Sequence, residues 1–83
     1  MHMRILKPGR VTMITEIGIV AGEIWHHLDE HGESAFSSML KAIQRPKELI
    51  LMSLGWLARE GHVLVQPVGA DFRVALRKQG VRE

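Results

Sequence analysis

The stretch PKELILMSLGWLAREGHVLVQPVGADFRVAL, residues 46–76, decides the fold of this chain. Pro46 suits the first position of a helix, where its missing N–H is not needed, and Gly61 suits a helix end. Apolar residues recur between them at the spacing of one helix face: Ile50, Leu54 and Leu57. After Gly61, two β-prone runs flank turn chemistry at 67–70. The stretch therefore predicts a helix to about Glu60, followed by a two-stranded hairpin.

Two further helices are predicted upstream. Residues 13–30 carry one apolar helix face, and its members are Ile14, Ile17, Ala21, Ile24 and Leu28. Residues 34–36 are too few for a helix and fit a short strand. Ser37 is then the expected N-cap of a helix over 38–43, which ends before the tight connection to Pro46.

The element order is helix, short strand, helix, tight turn, helix and hairpin. This order predicts an α+β winged helix-turn-helix domain, with three helices as the core and the hairpin as the wing. The domain is expected over residues 13–78, between a flexible arm at 1–12 and a polar tail at 79–83. The predicted core is Ile17, Ala21, Ile24, Leu28, Leu40, Ile43, Ile50, Leu54 and Leu57, capped by Val63, Val65, Phe72 and Val74.

Three segments carry a resemblance to a known family: ITEIG at 14–18, AGEIW at 21–25 and LGWLAREG at 54–61. They resemble a family of small bacterial and archaeal winged helix-turn-helix proteins of unknown function, over roughly residues 13–76. LGWLAREG is the most specific of the three. The resemblance implies the fold and, by analogy, a DNA-related role, and it implies no catalytic residue.

Composition limits the function classes. The chain has 83 residues, no cysteine and a formal net charge of +2. Without cysteine there is no disulfide framework and no cysteine-ligated zinc. No apolar stretch approaches the ~20 residues of a membrane span, so we expect a cytoplasmic protein. Nucleophile and phosphate-loop motifs are missing, which predicts no catalytic residue, no cofactor and no small-molecule substrate.

Histidines mark the end of the first predicted helix. Glu23, His27 and His31 are spaced by four residues and share a helix face, as the ligands of a divalent metal ion would. The His-Glu-x-x-His pattern of zinc proteases is missing. Histidines also stabilise a solvated helix C-terminus, which explains them without a metal. We therefore predict no metal site, and a metal-sensing regulator ranks last among the functions considered.

The outward side of the predicted third helix is apolar. At 100° per residue, Leu49, Met52 and Trp56 cluster away from the inner face. A helix that reads DNA carries polar side chains there, whereas an exposed Leu–Met–Trp stripe is typical of a protein interface. The stripe predicts a homodimer. The alternative is that the N-terminal arm or the tail folds back over it.

Basic residues near the third helix and on the wing could contact DNA phosphates. These candidates are Arg45, Lys47, Arg73, Arg77 and Lys78. Two functions therefore remain open. One is a homodimeric DNA-binding regulator. The other is a protein-interaction module that has kept the fold without reading DNA, because a fold does not determine function.

Overall fold

The computed structural model describes residues 12–77, which form three helices and a three-stranded antiparallel sheet. The elements are α1 Met13–His31, β1 Ser34–Ala35, α2 Phe36–Ala42, α3 Lys47–Arg59, β2 Val63–Val68 and β3 Asp71–Leu76. The predicted α+β winged helix-turn-helix architecture is confirmed. The predicted tail, Lys78 and nearly all of the predicted arm lie outside the described residues.

Local chemistry sets both ends of α1. The hydroxyl of Thr12 accepts a hydrogen bond from the N–H of Thr15 at 3.3 Å, which satisfies one of the free donors of the first turn. Gly32 has a φ of +79°, in the left-handed region that favours glycine, and its N–H donates to the Leu28 carbonyl at 2.8 Å. The helix therefore begins where the sequence places it and ends one residue later.

The start of α2 differs from the prediction. Its N-cap is Ala35, Phe36 is its first residue rather than part of the strand, and Ser37 lies inside the helix. Alanine has no acceptor, and the cap comes from Asp71 on β3 instead. One carboxylate oxygen accepts the Ser37 N–H at 3.3 Å and the other accepts the Ser37 hydroxyl at 2.7 Å. The prediction of Ser37 as the N-cap is wrong, because the capping group comes from a distant strand and local sequence spacing does not show it.

A glycine-centred motif ends α3. Pro46 is the N-cap, one position before the predicted one, and its carbonyl accepts the first helical N–H bonds. Gly61 has a φ of +82°. The His62 N–H donates to the Leu57 carbonyl at 2.9 Å, and the Gly61 N–H donates to the Ala58 carbonyl at 3.1 Å. These two bonds satisfy helix-end carbonyls and turn the chain into β2.

The sheet has the order β1-β3-β2, so that β3 is central and β2 is an edge strand. Val65 pairs with Val74 near the middle of the hairpin. The hairpin turn is shorter than predicted, because Pro67 and Val68 belong to β2. An edge strand tolerates Pro67, since its missing N–H faces away from the ladder.

The core lies between α1, α3 and the sheet. The buried apolar residues are Val20, Ala21, Ile24, Leu28, Phe36, Met39, Ile43, Leu49, Ile50, Leu54, Leu57, Val63 and Val74. Three predicted core residues, Ile17, Leu40 and Val65, are partly buried against this cluster. Within residues 12–77, no helix is long and apolar enough to cross a membrane.

Two residues of the predicted apolar faces are exposed. Ile14, on the apolar face of α1 but outside the predicted core, is 82% exposed, and Phe72, in the predicted core, is 41% exposed. Both stand near the end of an element: Ile14 in the first turn of α1, Phe72 one residue past the start of β3. Periodicity shows which residues lie on the same face of an element. It does not show how far along that face the neighbouring elements extend to cover them. The prediction that Phe72 lies in the core is therefore wrong.

Candidate functional site on the third helix

α3 is apolar on two sides. Ile50, Leu54 and Leu57 are buried, as predicted. The other side exposes Leu51 at 43%, Met52 at 39% and Trp56 at 47%. We call this exposed side the outer surface of α3, and its residues are Glu48, Leu51, Met52, Gly55, Trp56 and Arg59, all of which are exposed.

Leu49 does not lie on the outer surface, contrary to the prediction. It is 7% exposed and packs in the core. With successive residues ~100° apart, the buried arc of α3 runs from Leu49 to Leu54 and spans roughly 140°. The arc is this wide because α3 packs against both α1 and β2. The predicted exposed stripe did not include Leu51, although a position ~100° around the helix from Ile50 already lies outside the inner face.

Trp56 has one aromatic neighbour among the described residues. Its ring centroid lies 6.1 Å from that of His62, with the ring planes tilted by 39°. This contact leaves nearly half of the indole exposed. The alternative in which the arm or the tail covers Trp56 concerns residues outside the described range. Within residues 12–77, the outer surface of α3 is an uncovered apolar patch.

Arg45 and Arg73, two of the predicted phosphate-binding residues, are engaged in ion pairs. The Nε of Arg45 donates to Glu23 at 2.9 Å, and its terminal nitrogen donates to the second oxygen of the same carboxylate. This guanidinium lowers the pKa of Glu23. The Nε of Arg73 donates to Glu33 at 2.7 Å. Each arginine therefore has a carboxylate that partly neutralises its charge.

The other two basic candidates within the described residues are not engaged in ion pairs there. Lys47 is exposed in the first turn of α3, and Arg77 is exposed directly after β3. Neither forms a salt bridge with an acidic residue in the part of the chain that is described. Lys78, the fifth candidate, lies outside that part. Lys47 and Arg77 are thus the described cations of the predicted set that are available to an anionic ligand.

The histidines at the end of α1 form a small cluster. The ring centroids of His27 and His31 are 4.6 Å apart, and His26 Nε2 lies 3.5 Å from a carboxylate oxygen of Glu30. Partial burial, and secondarily the nearby His31, lowers the pKa of His27. Among residues 12–77, no three histidine, aspartate or glutamate side chains are placed to hold a metal ion together.

A family model matches residues 12–76, which include all six helices and strands. The chain belongs to this family, which is described as "Winged helix-turn-helix domain (DUF2582)". The family resemblance found in the sequence is thereby confirmed. Neither the curated proteins nor the solved structures include a match to the chain. The family establishes the type of domain, and its description names no ligand and no reaction.

Proposed function

We propose that this member of a winged helix-turn-helix family is a non-catalytic interaction module that forms a homodimer through the outer surface of α3. The observation that carries the proposal is the joint exposure of Leu51, Met52 and Trp56 on one helix face. Winged helices serve both DNA reading and protein contact, so the chemistry of the exposed face has to decide between them.

The chemistry of the outer surface disfavours base reading. In DNA-bound helix-turn-helix proteins, the recognition helix lies in the major groove, and its polar side chains hydrogen-bond to base edges. The middle of this surface offers Leu51, Met52, Gly55 and Trp56, of which only the indole N–H is a side-chain donor. Glu48, near the N-terminus of the helix, would repel the phosphates that flank the groove. Such a face has little with which to distinguish base pairs.

The same chemistry favours a protein contact. Tryptophan and methionine are enriched in interfaces, and an aromatic anchor near the centre commonly carries much of the binding energy. Full burial of a large apolar side chain contributes ~1.5–3 kcal/mol. A two-fold homodimer needs only one self-complementary surface, so a single patch can supply both halves of the interface. Trp56 is the expected anchor.

Sedimentation equilibrium of the whole chain tests this proposal. We expect the wild type to be a dimer and Trp56→Glu to be a monomer with unchanged helical circular dichroism, because a charge cannot be buried at the interface centre. Leu64→Glu is the matched control, since Leu64 is 50% exposed on β2 and does not belong to the outer surface of α3. This variant should remain a dimer. A monomeric wild type, or equal loss of dimer in both variants, would rule out the proposed interface.

A second function, a DNA-binding regulator, is favoured by the fold and by the exposed charges of Lys47 and Arg77, which form no salt bridge within residues 12–77. Such binding would run through phosphates rather than base edges, and its affinity would therefore fall with salt. If the protein binds DNA in this way, Lys47→Ala combined with Arg77→Ala should reduce the slope of log affinity against log salt by roughly 2, since each phosphate contact contributes about 0.9. Arg73→Ala should change the slope less, because Glu33 already pairs with Arg73. Binding that is insensitive to salt would exclude this function.

A further inference from the structure

We infer that two copies of the chain pair through antiparallel α3 helices, with Glu48 of each copy facing Arg59 of the other. This inference rests on the proposed homodimer and specifies its geometry. It is carried by the positions of the two charges and of Gly55 on the outer surface of α3.

The two charges stand at opposite ends of one helix face. Glu48 is in the first turn of α3 and Arg59 is its last residue. They are about three helical turns apart, roughly 16 Å along the axis, and point in nearly the same direction. Both are exposed, and neither forms a salt bridge with another residue in the range 12–77.

This arrangement is self-complementary in one orientation only. When a two-fold axis passes midway between the charges and the helices run antiparallel, Glu48 lies level with Arg59 of the second copy at both ends. When the helices run parallel in register, Glu48 lies opposite Glu48 of the second copy, and Arg59 lies opposite Arg59 of the second copy. Like charges opposed in this way repel, so the charge pattern selects the antiparallel orientation.

The apolar residues fit the same register. In an antiparallel pair, Leu51 comes next to Gly55 of the second copy, and Met52 comes next to Trp56 of the second copy. Apart from Gly55 itself, its two chain neighbours and the adjacent backbone of α3, no described atom lies within 4 Å of the point where a Cβ on Gly55 would stand. The glycine therefore leaves a shallow gap into which the leucine side chain of the other copy can pack.

The free edge of β2 is a poorer self-association surface. An unpaired strand edge can add a strand from another chain, but Pro67 lies within β2 and has no N–H to donate. The α3 face has matched charges and a gap beside its apolar side chains, and the edge strand offers neither. These observations favour a second copy of α3, rather than the edge of β2, as the occupant of the outer surface.

Charge reversal tests the arrangement. Glu48→Arg alone and Arg59→Glu alone should each weaken self-association at least ten-fold, because each puts like charges at both ends. A 1:1 mixture of the two single variants should associate far more strongly than either alone, since every contact is then between opposite charges. The double variant should return to near wild-type affinity. Lys41→Glu, on α2, is the control for a change of net charge and should not weaken association.

The outcomes separate this inference from the proposed function. If Trp56→Glu gives a monomer but both charge variants dimerise like the wild type, the α3 dimer stands and the antiparallel register is wrong. A double variant as weak as the single variants would overturn the register in the same way. If the wild type is monomeric, both the dimer and its register are wrong. Dissociation constants from sedimentation at low ionic strength give these answers, and the differences should shrink in high salt.

Discussion

The two sides of α3 have similar side chains in opposite environments. Ile50, Leu54 and Leu57 are buried against α1 and the sheet, whereas Leu51, Met52 and Trp56 face outward. Hydrophobicity alone therefore does not determine which residues enter the core. Burial depends on which neighbours the rest of the chain supplies. The inner side stabilises the folded monomer, and the outer side remains for a contact that the described chain does not itself make.

The largest expected effect separates the two sides directly. Leu54→Ala should lower the free energy of unfolding by about 2–5 kcal/mol, because it removes packed atoms and leaves a cavity. Leu51→Ala should change it by at most ~0.5 kcal/mol, since the side chain is exposed. Urea denaturation of both variants, made in the Trp56→Glu background so that dimerisation does not contribute, measures the difference. Equal losses would show that the described chain buries both sides.

A smaller effect is expected within the buried side. Ser53 is fully buried, and its hydroxyl has no hydrogen-bond partner among residues 12–77. An unsatisfied buried hydroxyl is destabilising by about 1–3 kcal/mol, and alanine also has the higher helix propensity. Ser53→Ala should therefore raise the free energy of unfolding by about 1 kcal/mol in urea. Ser38→Ala, at an exposed position on α2, is the control. Destabilisation by Ser53→Ala would show that the hydroxyl is bonded.

The smallest effect should come from a residue away from α3. The Ser37 hydroxyl, and then the Phe72 N–H, hold the pKa of Asp71 below its ordinary value of 3.8. The contribution of Asp71 to stability is therefore complete above pH 3.8 and is lost as the pH falls through the lower, folded-state pKa. Asp71→Asn should lower the melting temperature slightly at pH 7 and reduce its decline below pH 4. An unchanged melting profile across this range would show that the cap contributes nothing.

Short-range patterns predicted most of the fold. The spacing of Ile50, Leu54 and Leu57 determined the inner side of α3, and Gly61 marked its end. The errors arose where a cap or the burial of a side chain depends on residues that are distant in the sequence. The cap of α2 comes from Asp71, which is 34 positions away from Ser37. Burial of Leu49 depends on contacts that α3 makes with two elements at once, and no single-helix projection contains that information.

The candidate site was predicted less completely than the fold. Sequence identified Met52 and Trp56 as outward-facing, and the structure adds Leu51 and removes Leu49. For the basic residues, the sequence gives each charge but not its neighbour. The pairing of Arg45 with Glu23 spans 22 positions, and that of Arg73 with Glu33 spans 40. Which of the basic residues are available to contact phosphates therefore depends on ion pairs that only the folded structure shows.

One measurement tests most directly whether the outer surface of α3 contacts another copy of the protein. In a mixture of isotope-labelled and unlabelled chains, filtered nuclear Overhauser spectra report only contacts between copies. An antiparallel α3 dimer predicts such contacts from the indole protons of Trp56 to the methyl group of Met52, with further contacts from Leu51. Trp25 on α1 is also exposed. Intermolecular contacts confined to the wing or to Trp25, or none at concentrations where the wild type is a dimer, would contradict this dimer.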